Sequence, residues 1–223
     1  MKINSILSVV LVSVFTFSTA YADKPVAISK ADGPNSLEIG ISVGSGDVMF
    51  MRNQNNSNTV NPAFAKTSRP CPPFCVQPMQ LRPGIETIGE QEIIHYAVMM
   101  SKGQKMPDGS EIMVIDSRTP DWVAKGMIPG AVNIPWTHLS EAKGADPISI
   151  AEIMTDKFGA KEQNGLFYFD DAKTLVMYCN GMWCGQSPNN IKSLLKYGYP
   201  ADKIKWYRGG MQDWEILGFN TVK

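Results

Sequence analysis

Near the start of the chain apolar residues alternate with polar or small ones. Leu37, Ile39, Ile41 and Val43 are separated by Glu38, Gly40 and Ser42; residues 44–47 are turn-forming, and 48–51 are apolar again. Period-two alternation on both sides of a glycine-bearing turn predicts a β-hairpin. The pattern then disappears. From Arg52 the chain reads RNQNNSNTVNPAFAKTSRPCPPFCVQPM, rich in Asn, Ser and Pro. With no period, this stretch predicts an extended arm or linker.

From about Pro83 the period changes. Residues 84–88 (GIETI) make a short strand, and over 90–102 Ile93, Ile94, Ala97 and Val98 share one helical face. Residues 112–115 are an unbroken apolar run, as in a parallel strand buried on both faces. Thr119 and Pro120 cap a short helix that ends before Gly126. Ile150, Ile153, Met154 and Phe158 form a second helical stripe closed by Gly159. Residues 175–178 repeat the buried-strand pattern. Ser187 and Pro188 then cap a third helix, with Ile191, Leu194 and Leu195 inward and Gly198 at its end. Residues 204–207 read as a last strand and 211–217 as a last helix. Strand and helix alternate, so residues 83–223 are expected to form an α/β domain with a mostly parallel sheet flanked by helices. Residues 23–82 supply the hairpin and the arm. Ligands of such sheets sit beyond the carboxyl ends of strands.

The first 22 residues change the picture of where this domain works. Lys2, an apolar stretch over 6–17 and the small-x-small Ala20-Tyr21-Ala22 have the layout of a secretory signal peptide, and they are short for a membrane span. The expectation is a periplasmic or secreted protein without stable membrane insertion. Twenty-one basic residues balance 21 acidic ones with no basic run, so no nucleic-acid partner is expected. Four cysteines, Cys71, Cys75, Cys179 and Cys184, would meet an oxidising compartment, where three full pairings are open to them.

Cys179 is the residue with the most pointed chemistry. It directly follows the predicted strand 175–178 and opens a loop of Asn180, Gly181, Met182, Trp183, Cys184, Gly185 and Gln186, after which a helix begins near Ser187. The thiolate is the reactive form of cysteine, so its charge must be favoured. Gly181 and Gly185 let backbone N–H groups turn inward as an anion nest, and the helix start adds its positive end. A functional thiol is expected here rather than a small buried hydrophobe.

Three stretches carry a resemblance. VIDSRTPDWVAKGMIPGAVNIPW (114–136), LVMYCNG with SPNNIKSLLKYGY after it, and WYRGGMQDWEILGFNTV near the end together resemble the rhodanese family of sulfurtransferases. The likeness covers about residues 83–223. It implies a rhodanese-like fold with Cys179 as nucleophile. That cysteine would take sulfane sulfur from a small donor or a persulfidated protein, hold it as a persulfide and pass it to a thiol acceptor, with no cofactor. The loop departs from the family's Cys-x-x-Gly-x-Arg-Ser. It is longer, no Arg or Lys lies between Cys179 and Ser187, and Gln186 stands where the arginine would fall. Cys-x5-Arg fails too, which argues against phosphate-ester hydrolysis. Met127 replaces the common His of the Gly-x-Ile-Pro-Gly segment. Without a loop cation, and with Met182 and Trp183 as an apolar rim, a donor larger or less charged than thiosulfate, or a protein partner, is expected.

Other residues carry alternatives. Arg118 would either bring a cation to the pocket, as the resemblance implies, or pair structurally with Asp116. Cys184 reads as a resolving thiol for Cys179, as the sulfur carrier itself, or as half of a resting disulfide. Cys71 and Cys75 read as a local disulfide. Cys-x3-Cys and Cys-x4-Cys spacings are loose for zinc, so no metal is expected. Gly209 and Gly210 suggest a tight turn, Trp214 a core position, and His95 and His138 structural roles. Beside the sulfurtransferase stand two further functions: a non-catalytic protein-binding module, and a thiol–disulfide oxidoreductase using Cys179 and Cys184.

Overall fold

The computed structural model describes residues 29–30, 37–43, 46–53 and 55–223. The expected leader at 1–22 lies outside these. The strands are β1 (Ser29–Lys30), β2 (Leu37–Val43), β3 (Gly46–Arg52), β4 (Glu86–Ile88), β5 (Ile112–Asp116), β6 (Val132–Asn133), β7 (Lys161–Gln163), β8 (Leu166–Tyr168), β9 (Thr174–Tyr178) and β10 (Ile204–Tyr207). The helices are α1 (Glu90–Ser101), α2 (Pro120–Val123), α3 (Pro147–Glu152), α4 (Gln186–Lys196) and α5 (Gly210–Ile216). None of the described helices is long and apolar enough to cross a membrane.

The central sheet has the order β4-β10-β9-β5-β6, and every neighbouring pair is parallel. Its middle strand is β9, buried at all five positions. That burial explains the unbroken apolar runs: alternate side chains feed two different cores. Val176 and Tyr178 join Val114, Ile93, Ile94, Met211 and Trp214 on the face covered by α1 and α5. Leu175 and Met177 join Ile115, Ile150, Ile191 and Trp206 on the face covered by α3 and α4. Trp214 is fully buried, as its apolar setting implied, and stacks near Phe50 and Phe219.

The segment ahead of Pro83 is bound to this body. β2 and β3 pair antiparallel as the alternation implies, although β3 starts at Gly46, inside the expected turn. Phe50 of β3 and Phe64 beyond the hairpin enter the α1/α5 core. Asn53 N–H donates to the Gly218 carbonyl at 2.6 Å, and Asn220 exchanges hydrogen bonds with Met51.

Two local features differ from expectation. The stripe Ile150, Met154 and Phe158 is buried, but α3 ends at Glu152 and the chain widens into a π turn over Ile153–Lys157. There Phe158 N–H reaches back five residues to Ile153 O at 3.2 Å. Residues 161–168 form an unexpected β7–β8 hairpin. Its turn is Asn164-Gly165, both with positive φ (53° and 78°), the residue pair that best suits such a turn. Pro120 does open α2 as expected, but Thr119 at its N-cap makes no side-chain cap hydrogen bond.

The buried ends of β5 and α2 are tied by one ion pair. Arg118 folds back on Asp116, with Nη2 at 2.6 Å and Nε at 2.9 and 3.0 Å from the carboxylate, and both side chains are fully buried. Its Nη2 also donates to Gly126 O at 2.6 Å, and Nη1 to Trp122 O at 3.3 Å. Burial works against the guanidinium charge, but hydrogen bonding and attraction from Asp116 outweigh it and raise its pKa. Asp116→Ala would strand a desolvated cation. We expect a loss of about 3–5 kcal/mol, read as a lower denaturant midpoint with an unchanged slope.

Candidate active site

Cys179 is the first residue after the central strand, and three neighbouring elements fix its position. From below, the start of α5 holds the loop: Met211 N–H donates to the Cys179 carbonyl and Gln212 N–H to that of Asn180, each at 3.0 Å. This approach requires glycine. Gly210 has φ +58°, and a Cβ there would come within 2.4 Å of the Cys179 carbonyl oxygen. The glycine pair expected to make a tight turn thus also lets α5 lie against the loop.

From the side comes α4. It starts at Gln186, with Gly185 as N-cap and no side-chain cap hydrogen bond, so Ser187 is not the cap expected from sequence. Its hydroxyl has another partner. Ser187 Oγ lies 3.1 Å from Cys179 Sγ and donates to it, while Trp206 Nε1–H donates to Ser187 Oγ, also at 3.1 Å. All three side chains are buried. Because the indole N–H occupies a lone pair of the hydroxyl, the hydroxyl proton is turned toward sulfur. The third element is the loop itself, closed by Cys184 N–H to Gly181 O at 2.8 Å.

The two thiols have opposite electrostatics. Burial pushes the Cys179 thiol up. Hydrogen bonds from the Cys184 thiol, the Ser187 hydroxyl and the Ser187 and Gly181 amides overcome that and bring it down to about 7. Of the two loop glycines, Gly181 is the one whose amide acts on the Cys179 sulfur. Gly185 instead has an ordinary φ of −93°. Cys184 is pushed well above the usual thiol range, by its own burial and then by its hydrogen bond to, and the charge of, Cys179. One is set up as thiolate, the other as thiol. Asn180 Nδ2 lies 3.9 Å from Cys184 Sγ, and when Cys179 is protonated its Sγ can donate to the Cys184 carbonyl at 3.6 Å. Both cysteines are free, and each is 3% exposed.

Cys184, Asn180, Trp183, Gly185 and Gln186 line a cavity of about 700 Å³. Its far wall is the arm, a contact no sequence pattern announced. Gln77 N–H donates to Met182 O at 2.8 Å, and Arg208 in turn holds the Gln77 carbonyl at 2.9 and 3.0 Å. Phe74 meets the Trp183 ring edge-on at 5.7 Å, and the Arg69 guanidinium lies 3.6 Å over the same ring. Trp183 Nε1 is hydrogen-bonded to Gln212. Burial lowers the Arg69 pKa, and its charge acts on Cys184. The loop has no cation of its own, but Lys66, Arg69, Lys125 and Lys143 all line this cavity. The positive charge of this cavity therefore comes from segments other than the loop.

The remaining residues singled out from sequence fall elsewhere. Arg118 sits in its ion pair with Asp116 and does not line the cavity; its charge acts on Cys179 through the protein. His95 lies on α1 and His138 in the turn Trp136–His138, and neither lines the cavity. Cys71 and Cys75 lie within disulfide reach, with Cα atoms 4.7 Å apart, on the arm next to Pro70, Pro73 and Phe74 of the cavity wall. Trp206 escaped sequence reading because it stands in an apolar strand, where indole N–H chemistry leaves no period.

A profile of the Rhodanese-like domain matches residues 100–217, more than half of the chain, and the chain belongs to that family. It is 28% identical over 122 residues to a sulfurtransferase of Allochromatium vinosum, covering 55% of this chain and 89% of that protein. A thiosulfate:glutathione sulfurtransferase of Saccharomyces cerevisiae is 26% identical over 107 residues, 48% of this chain and 67% of its own. An HTH-type transcriptional regulator of Mycobacterium tuberculosis is 24% identical over 111 residues, half of this chain, which spans only 38% of the regulator. Among solved structures, a human single-domain sulfurtransferase matches 57% of this chain and 93% of its own at 21% identity, with a TM-score of 0.32. The arm residues of the cavity wall lie outside the matched segment.

Three outcomes are expected from this geometry. Alkylation of Cys179 should rise with pH through a midpoint near 7, since the thiolate form grows above that value. Ser187→Ala removes a hydrogen bond to the charged form, so the midpoint should move up by about one unit, read by alkylation of a Cys184→Ser background mapped by mass. Gly210→Ala should displace the Cys179 carbonyl and cost stability together with Cys179 reactivity, while Gly218→Ala, remote from the loop, should leave that reactivity intact.

Proposed function

We propose that this protein is a sulfurtransferase that carries sulfur as a persulfide on Cys179. The observation that carries the reading is the Ser187 hydroxyl held 3.1 Å from the buried Cys179 sulfur, in a setting that brings that thiol down to about 7. The thiolate attacks the outer sulfur of a sulfane donor. The donor's S–S bond breaks, its remainder leaves as a sulfite, sulfinate or thiolate anion, and Cys179 becomes a persulfide. An acceptor thiolate then attacks the outer sulfur, a new S–S bond forms on the acceptor, and the Cys179 thiolate is restored. No external oxidant or reductant is needed.

In this reading Cys184 is the protonated partner. Its thiol donates to the Cys179 sulfur, and its place in the cavity wall sets it where the donor enters. The sulfurtransferase relatives support the reaction class. Export fits the leader-like residues 1–22 and a Cys71–Cys75 pair within disulfide reach, and we include it in the proposal. A second reading, thiol–disulfide exchange through Cys179 and Cys184, is favoured by the electrostatic coupling of the two free thiols in one loop.

Incubation of the protein with thiosulfate or an organic thiosulfonate, followed by non-reducing intact-mass and peptide analysis, tests this. A gain of one sulfur on Cys179, kept in Cys184→Ser and lost in Cys179→Ser, is expected. Sulfur retained on Cys184 in Cys179→Ser would overturn the assignment. Loss of two hydrogens with no sulfur gained would support the exchange reading instead.

A further inference from the structure

The cavity beside Cys184 has a composition that bears on what it takes. Three of its cations lie over indole rings: Arg69 over Trp183 at 3.6 Å, Lys125 over Trp122 at 3.9 Å, and Lys143 over Trp136 at 5.5 Å. Lys66 is the fourth, and no carboxylate lines the cavity among the described residues. Like charges gathered around one space repel one another unless an anion enters it. The rings hold the cations in place through their electron-rich faces. Stacking uses the flat face of the Arg69 guanidinium. One of its in-plane N–H groups goes to the Lys66 carbonyl at 2.9 Å, and the others lie in the plane suited to an oxyanion.

Size and polarity add to this. A cavity of about 700 Å³ is in the range for an organic ligand and far exceeds a bare inorganic dianion. Its four aromatic residues, Phe74, Trp122, Trp136 and Trp183, suit a flat apolar body. Half of the cations, Arg69 and Lys66, belong to the arm, and the arm is anchored to the loop through Gln77 and Met182.

We propose that this cavity receives an organic sulfur donor bearing at least two negative charges on an apolar body of arene size. Arg69 and Lys66 of the arm, with Lys125 and Lys143 opposite, are its specificity-determining residues. The cations offset the repulsion between an anionic donor and the Cys179 thiolate. For an arenethiosulfonate, the thiolate attacks the terminal sulfur, the S–S bond breaks and the arenesulfinate leaves. That step rests on the sulfurtransferase reading; the charge selectivity of the cavity does not.

The probe is 4-sulfobenzoate, an unreactive dianion, titrated calorimetrically into the full-length protein beside its monoanionic methyl ester. The dianion should bind at least tenfold more tightly, and salt should narrow the difference. Arg69→Ala and Lys125→Ala should each weaken the dianion about tenfold, the scale of one charge-assisted contact, and leave the ester nearly unchanged. Lys125 is not on the arm, so its effect cannot come from undocking. Equal affinity for the two probes, no binding of either, or wild-type affinity in both variants would overturn the proposal. Sulfur transfer from 4-carboxybenzenethiosulfonate to cyanide is read in parallel. Selective binding without transfer would sink only the sulfurtransferase reading; transfer without charge preference would sink only this one.

Discussion

A negative sulfur shut away from water is costly for any fold to hold. Burial alone shifts a thiol upward by as much as a few units, so the charge exists only if nearby donors repay its lost hydration. Here the donors come from three directions: the Ser187 hydroxyl and amide at the start of α4, the Gly181 amide in the loop, and the Cys184 thiol across it. Each has to arrive with its orientation already set. Trp206 orients the hydroxyl from β10, and α5 fixes the loop carbonyls so that the amides face the sulfur. The parallel sheet matters chiefly because its central strand delivers Cys179 to the point where these three supports meet.

Having two thiols at one spot then follows from the same electrostatics. Two adjacent thiolates would repel in a poorly solvated space, so ionising one raises the other. Hydrogen-bond donors decide which one ionises, and they favour Cys179. Cys184 keeps its proton and acts as a donor toward its neighbour, a role that an alanine in its place would not fill.

The parts of this structure legible in the sequence are those governed by local period or by residue type at a turn. Unbroken apolar runs at 112–115 and 175–178 report strands buried on both faces, and Cys179 after the second run reports a strand end. Asn164-Gly165 carried its hairpin in plain view, but the flanking strands are short and exposed, so no alternation drew attention to them. Ser187 illustrates a different failure. Ser-Pro before an apolar stripe reads as a helix cap, yet the hydroxyl has a stronger claim on it from a sulfur eight residues earlier. The arm was the least legible part. Asn, Ser and Pro without a period look like a linker, and nothing local shows that Arg69, Phe74 and Gln77 pack on a loop more than 100 residues away.

The arm's position separates two kinds of inheritance in one chain. Residues that surround the Cys179 sulfur lie within the segment matched by the family, whereas much of the wall of the neighbouring cavity, which Cys184 lines, is built from residues ahead of it. Substitutions in so exposed and irregular a strip disturb little of the interior. Editing that strip would therefore reshape the cavity while leaving the packing around Cys179 as it is.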